Sequence, residues 1–277
     1  MILTDIAREI ELRENGIYFS KKNNTISYPE KGNQDCYQYE DDSFWFQHRN
    51  NVIAESIKNL SKKEVFFDIG GGNGFVAKRL QDEGIETVLV EPGVSGAKSA
   101  RERGVQKVIC STLNDAGFKK ESISSVGFFD VMEHIENDKE FVSEIASFLK
   151  PNGLLYLTVP AYNGLWSKDD EYAGHYKRYK LKELEHMFND LGFEIQYKSY
   201  LFSLLFLPIL FFKTIPSKFG LAADPSDVNQ QKKNHVTKKG IMSSILASIW
   251  NWELNQVKKR KKIPIGSSCF LIAKKIN

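Results

Sequence analysis

Cysteine is scarce in this chain. Cys36, Cys110 and Cys269 are three in number and far apart, which excludes a disulfide framework and any CxxC metal or redox site. Neither charge sign dominates. Thirty-eight basic residues against 35 acidic ones leave a formal net charge of +3, so no global field advertises nucleic acid as the partner. No apolar run reaches the ~18 residues of a membrane span. The nearest, Tyr200–Phe212, has 13 residues and contains Pro208. The opening MILTDIAREIELRENG mixes acids and bases and has no apolar leader stretch, so a reducing cytoplasm is the expected location. A Walker A loop, a metal-ligand spacing and a G-x-S-x-G elbow are also missing.

What is present suits a folded chain. The 277 residues are 42% apolar, 26% charged and 12% aromatic, enough for a sizeable core and unlike a disordered chain. Short apolar runs alternate with helix-period stretches. Val65–Ile69, Thr87–Val90, Lys107–Cys110, Phe128–Val131, Leu154–Val159 and Phe193–Tyr200 read as strands, and Ile263–Ala273 as a seventh beside the sixth. Phe141, Val142, Ile145, Phe148 and Leu149 mark one amphipathic helix, and Leu181, Leu184, Met187, Phe188 and Leu191 another. Such alternation predicts an α/β fold with a Rossmann-like, mostly parallel seven-stranded sheet and helices on both faces. Residues 1–60 read as an N-terminal cap with a hairpin around Asn15–Tyr28. Residues 61–277 read as the main domain, with a lid at 161–180, a helical and basic insertion at 201–262 and a final strand at 263–275.

In such sheets ligands bind beyond the carboxyl ends of the strands. After the first of these strands comes Asp68-Ile-Gly70-Gly-Gly72-Asn-Gly74. Glycines there permit a tight turn and close backbone approach, and the helix that follows offers free N–H groups. A dinucleotide fingerprint would need a third glycine at position 75, where Phe75 stands. Glu91 closes the second strand, 17 residues beyond Gly74, where a carboxylate can accept both hydroxyls of a ribose. The bland alternative is a plain strand-to-helix turn and a solvated strand end.

VFFDIGGGNG, VLVEP, FFDVMEHI and LKPNGLLYLTVP together resemble the motif series of class I S-adenosylmethionine-dependent methyltransferases over roughly Val65–Pro160. The resemblance implies a seven-stranded sheet, parallel except for its last strand, with S-adenosyl-L-methionine as cofactor and S-adenosyl-L-homocysteine as product. Carried over by motif, Gly70, Gly72 and Gly74 would lie against the methionyl part and ribose, with Asp68 organising the loop. Glu91 would hold the ribose hydroxyls with Pro92 near adenine, and Asp130 would sit beside the methionyl amino group. Thr112 and Leu113 would border adenine, although Cys110-Ser111-Thr112 departs from the acid that commonly follows strand three. SFWFQHR, GHYKRY and IPIGSSCFLIAKK are similar to a bacterial subgroup often found in cell-surface polysaccharide and lipid-carrier pathways.

Methyl transfer to a hydroxyl profits from a base near its proton, and histidine suits that task. His134, in VMEHI, should face the cofactor methyl, or else pair with Glu133, Glu136 or the backbone. His175, in the lid segment, is expected on the acceptor side with Arg178 and Tyr179. Arg178 could pair with a carboxylate or phosphate on the acceptor, or these could be ordinary loop and helix-start residues. Trp45 and Phe46 could close over the cofactor and Arg49 reach its carboxylate, or all three could serve packing and surface. His186 and His235 read as inert.

Tyr200–Phe212 reads as a buried helix or an interfacial element. Gly240–Trp252 is amphipathic, and Lys258–Lys262 (KKRKK) follows it. Together they suggest contact between 200–262 and an anionic inner membrane face, or a cap over the acceptor pocket. The partner is therefore expected to be a small-molecule or lipid-linked acceptor, with a sugar-like oxygen as the first expectation, and not nucleic acid. Two rivals stay open: a nicotinamide-dependent oxidoreductase, and a non-catalytic S-adenosylmethionine-binding or membrane-adaptor protein.

Overall fold

The structure, a computed structural model, describes residues 2–21, 37, 39–58, 64–224, 227 and 241–276, with only the backbone for 241–243. Cys36, His235 and most of the linker 224–239 lie outside them. In chain order the elements are β1 (Ile10–Leu12), β2 (Tyr18–Ser20), α1 (Phe44–Ile57), β3 (Phe66–Ile69), α2 (Phe75–Asp82), β4 (Thr87–Val90) and α3 (Val94–Glu102). Then follow β5 (Lys107–Cys110), β6 (Ile123–Phe129), α4 (Asp138–Phe148), β7 (Leu149–Pro160), α5 (Lys168–Ala173), α6 (Leu181–Asp190), β8 (Phe193–Leu201), α7 (Ile241–Lys258) and β9 (Ser268–Lys275).

The strands form one mixed sheet in the order β1-β2-β5-β4-β3-β6-β7-β9-β8. Strands β3 to β7 are mutually parallel, and β9 runs antiparallel between β7 and β8. The seven expected strands are all there, but the sheet has nine. The N-terminal hairpin extends it, with β2 parallel to β5 and β1 antiparallel to β2. Three-residue strands with a mostly exposed or half-buried face carry too little period-2 signal to read from sequence. Their turn is set by Gly16 at φ 74° and by Asn15 Oδ1 accepting from the Ile17 N–H at 3.1 Å. Residues 22–28 of the expected hairpin lie outside the described residues.

Several strand boundaries also differ from expectation, β6 beginning already at Ile123. Strand β6 ends at Phe129 because Asp130 turns into the left-handed region at φ 56°. Strand β7 begins at Leu149, since Pro151-Asn152-Gly153, with Asn152 at φ 64°, makes an irregular crossing rather than a stop. Strand β9 starts only at Ser268, after Pro264, which has no N–H to give a ladder.

Both faces of the parallel strands are covered, which is why they read as mostly apolar runs without alternation. Phe67, Ile69, Val88 and Val90 join Val142, Ile145, Phe148, Leu184 and Phe188 on one side. Phe66 and Phe129 join Val52, Ile53, Ile57, Val76, Leu80 and Trp250 on the other. The segment 206–218 is helical and lies over the 161–180 stretch: Thr214 Oγ1 donates to Leu165 O at 2.8 Å, and the Lys168 N–H donates to Ser217 Oγ at 2.8 Å. No helix among the described residues is long and apolar enough to cross a membrane.

Helix α7 is tied to α1 by a buried carboxylate. Glu253, fully buried, accepts from His48 Nε2 at 3.0 Å and the Phe202 N–H at 2.9 Å through one oxygen. Through the other it accepts from the Ser203 N–H and Oγ, each at 2.6 Å. Burial alone would raise its pKa, but the His48 and Ser203 hydrogen bonds outweigh that and hold it below the usual carboxylate range. The stability this group contributes is present above its unfolded pKa and is lost as pH falls through the lower folded value. Replacing Glu253 by Gln should cost about 2–4 kcal/mol in urea unfolding at pH 7. The variant should also show a flatter loss of stability below pH 5 than the native chain. An unchanged midpoint would show that the network is not holding α7.

Candidate active site

The strand order reverses between β3 and β6, and the loops after these two strands meet there. Such a switch point leaves a crevice with backbone groups exposed on both sides. The loop after β3 is the glycine run. Gly70, Gly72 and Gly74 all have positive φ, at 66°, 52° and 74°. Gly74 is also the N-cap of α2, and a Cβ on it would meet Ala100 Cβ and Val105 Cγ2 at 2.8 Å. A Cβ on Gly71 would meet Asp68 Oδ2 at 2.6 Å. The loop thus runs flush against the strand ends, and no side chain caps α2. Its first-turn N–H groups remain available to a ligand.

Glu91 is buried and grips this loop. Its Oε2 accepts from the Gly72 N–H at 2.9 Å and its Oε1 from the Gly93 N–H at 2.7 Å. Burial raises its pKa, and these two bonds oppose the rise. Each oxygen keeps a lone pair for a further donor. Asp68 is 1% exposed, and neither carboxylate oxygen makes a well-formed hydrogen bond. Burial pushes it up to about 7; the Arg49 charge and a weak approach of the Ala77 N–H pull the other way.

Arg49 arrives from α1. Its Nη1 donates to Asp130 Oδ2, across 81 residues of sequence. The guanidinium lies 4.9 Å from the Trp45 ring centroid and 5.1 Å from that of Phe46, and its Nε is buried without a partner. Trp45 stacks on Phe202 at 5.2 Å. Around the other rim, Cys110 Sγ lies 3.8 Å from Pro92 O. Thr112 Oγ1 donates to Asp115, capping its own turn, while Leu113 is 2% exposed and packs in the core.

Beyond Asp130 the chain enters the short helix Met132–His134, and the 161–180 segment folds back onto it. The Tyr176 N–H donates to Glu133 O at 2.8 Å. His134 and His175 stand edge to face, ring centroids 4.7 Å apart. Burial and the neighbouring His175 lower the His134 pKa to about 4, so its ring is neutral at pH 7. His175 Nδ1 bonds Asp170 Oδ1 at 2.8 Å. Arg178, expected toward the acceptor, turns inward instead. Its Nε and Nη2 donate to the two oxygens of Asp170 at 2.7 and 2.9 Å. Burial would raise Asp170, but His175 and Arg178 together bring it down to about 2. Tyr179 is likewise buried, with its hydroxyl 3.0 Å from Asp138 Oδ2. In place of acceptor contacts, Arg178 and Tyr179 hold the segment that carries His175.

Sequence reasoning missed two residues. Glu133, 1% exposed, has Oε2 without a partner, and burial and then Asp130 drive its pKa well up. Asp170 organises the 161–180 segment through His175 and Arg178. The signal for Glu133 was its place beside His134 after β6; Asp170 sits in the acid-rich start of α5, where three carboxylates look alike. Glu133, His134 and His175 also bring one carboxylate and two imidazoles together, a set no sequence spacing announces.

The isolated Asp68 makes a clear prediction for the ligand-free chain. Its folded pKa lies above the unfolded value, so the folded chain holds a proton there that the unfolded chain has lost. Stability from this group falls as pH rises from about 4 through 7. Asp68→Asn should remove that slope and raise stability at pH 8 by about 1–3 kcal/mol. Urea unfolding from pH 4 to 8 checks it; a variant less stable at pH 8 would contradict the reading of an unpartnered carboxylate.

Comparison with known proteins bears on the family and the fold. Residues 45–198 match the methyltransferase domain family. A ubiquinone biosynthesis O-methyltransferase of Rickettsia conorii is 28% identical over 127 residues, 43% of this chain and 43% of that protein. The chain thus matches about half the length of such curated relatives. A Haemonchus contortus phosphoethanolamine N-methyltransferase 2, solved with S-adenosyl-L-methionine, superposes with a TM-score of 0.57 at 20% identity, over 91% of this chain and 58% of that one. A geranyl diphosphate methyltransferase, solved with GPP and sinefungin, gives 0.52 at 13% identity, over 82% and 76%. At such identities the likeness is one of fold. Across more than half its length the chain belongs to the methyltransferase domain family.

Proposed function

We propose that this chain transfers a methyl group from S-adenosylmethionine to an oxygen of a small or lipid-linked acceptor. The observation that carries the reading is the Arg49–Asp130 pair beside the glycine cradle. A methionyl end is a zwitterion, and this pair offers a cation for its carboxylate and an anion for its amino group. Arg49 Nε, buried and unpartnered, and the uncapped start of α2 are donors that such a carboxylate would satisfy. Asp68 shapes the loop through Gly71, Glu91 keeps capacity for two ribose hydroxyls, and Pro92 flanks the adenine end. Gly70, Gly72 and Gly74 let the backbone lie close to the ligand.

S-adenosylmethionine supplies an activated methyl carbon, and the protein supplies alignment and exclusion of water. His134 and His175 stand on the acceptor side of Asp130, and we assign them the activation of the acceptor hydroxyl. The 161–180 segment is the lid, with 206–218 lying over it. Residues 1–60 are the N-terminal segment and 61–277 the methyltransferase unit. Leu207, Phe211, Phe212, Phe219 and Leu221 are exposed, which supports a lipid-linked acceptor of the polysaccharide or lipid-carrier type and contact with the inner membrane face from a cytoplasmic protein. Nothing in the site favours the nicotinamide or the non-catalytic alternative.

Thermal unfolding tests the cofactor. S-adenosylmethionine and S-adenosylhomocysteine at 100 times their dissociation constants should each stabilise the chain by about 2.7 kcal/mol, and NADH should not. A shift with NADH alone would overturn the reading. Arg49→Ala should weaken S-adenosylhomocysteine about tenfold to a hundredfold by calorimetry. Arg49→Ala binding at native strength would remove the argument from the ion pair.

A further inference from the structure

We propose that Glu133, His134 and His175 bind one divalent transition-metal cation, and that the acceptor is a compound that chelates it through two adjacent oxygens. The proposal rests on the methyl-transfer reading above and names the acceptor class for that site.

Geometry comes first. One ligand atom from each of the three residues lies within 4.8 Å of the other two. Donors about 2.0–2.2 Å from a shared ion stand at most ~4.4 Å apart, so small side-chain rotations close the set. The residues reach this spot from opposite sides. Glu133 and His134 come from the short helix after β6, and His175 comes from the lid.

The surroundings are built for ligation. Glu133 is 1% exposed, and its Oε2 is buried with no hydrogen-bond partner. A buried carboxylate oxygen left alone costs free energy that a cation beside it removes. The His175 ring is fixed through Nδ1 by Asp170 Oδ1 at 2.8 Å, which leaves Nε2 for a ligand. Asp170 is itself fixed by both Arg178 nitrogens and by the Ser167 N–H at 2.9 Å. A carboxylate behind a ligating histidine is the usual outer support of a metal site, because it sets the tautomer and the ring direction. This explains why Arg178 and Asp170 are buried in a segment that otherwise looks like a solvated loop.

The donor set selects the ion class. Two imidazoles and one carboxylate favour Mn²⁺, Fe²⁺, Co²⁺ or Zn²⁺ over Mg²⁺ and Ca²⁺. Three protein ligands leave positions open for substrate. A vicinal diol or a catechol would occupy two of them in a five-membered chelate. An acceptor hydroxyl held this way ionises near neutral pH, giving its proton to solvent. Its oxygen then bonds the methyl carbon while the carbon–sulfur electron pair returns to sulfur, leaving the neutral thioether.

The test uses the full chain stripped with a chelator. Titration with MnCl₂, followed by calorimetry and electron paramagnetic resonance, should show one site per chain. Glu133→Gln and His175→Gln should each weaken Mn²⁺ at least tenfold. Asp170→Asn should weaken it less, within the tenfold to hundredfold range of supporting residues. Circular dichroism melts and S-adenosylhomocysteine binding, measured on every variant, separate lost ligands from lost folding. Catechol should alter the Mn²⁺ spectrum of the native chain, and phenol should not. No stoichiometric Mn²⁺ or Zn²⁺ site, or a site unchanged in both Glu133→Gln and His175→Gln, overturns the ion proposal; intact S-adenosylhomocysteine binding would then leave the methyl-transfer reading standing. Loss of S-adenosylhomocysteine binding in the native chain would sink that reading instead. A spectrum blind to catechol overturns the chelating acceptor.

Discussion

The Arg49 guanidinium stands among several carboxylates, and the site depends on how few of them it answers directly. Asp68 and Glu133 both feel its charge, and Asp130 holds it directly. Burying acids is costly unless a cation or donors answer them. Here the backbone amides of Gly72 and Gly93 answer Glu91, and Arg49 answers Asp130. Asp68 and Glu133 keep oxygens without partners. The chain therefore holds unsatisfied polarity at the switch point of its sheet, the place where ligands of such folds bind.

Arg49 can do this because its neighbour is anchored elsewhere. His48, one residue earlier on α1, turns about 100° away around the helix and meets Glu253 of α7. The same carboxylate caps the chain at Phe202 and Ser203, where β8 leaves the sheet and Phe202 takes φ 58°. Trp250 stacks on His48 at 4.7 Å, and Phe202 stacks on Trp45. The C-terminal helix, though far away in sequence, thus sets the angle at which α1 presents its arginine. The 161–180 segment follows the same logic on the other side, with Asp170 joining His175 to Arg178.

The order and type of the main elements were readable from the chain itself. Two-sided burial makes β3, β4 and β5 mostly apolar runs, and β4 and β5 match their expected limits residue for residue. Glycines at positive φ and an acid at the end of β4 are local demands of a tight strand-to-helix turn, so Gly70–Gly74 and Glu91 could be picked out before any contact was known. The hairpin was expected around Asn15–Tyr28 but its strands lie at Ile10–Leu12 and Tyr18–Ser20, because strands of three residues owe their limits to the pairing of β2 with β5.

What a residue touches was a different matter. Arg178, Tyr179 and Leu113 have types that suit a site, yet their partners Asp170, Asp138 and the core turn them inward. The converging pair Arg49–Asp130 and the trio Glu133, His134 and His175 join segments that no local pattern links. The sequence by itself determined the α/β alternation, the glycine cradle and its acid, because backbone geometry and period are local properties. Only the tertiary structure decided which acids remain buried and unanswered, because a carboxylate's partners are set by the fold of distant chain around it.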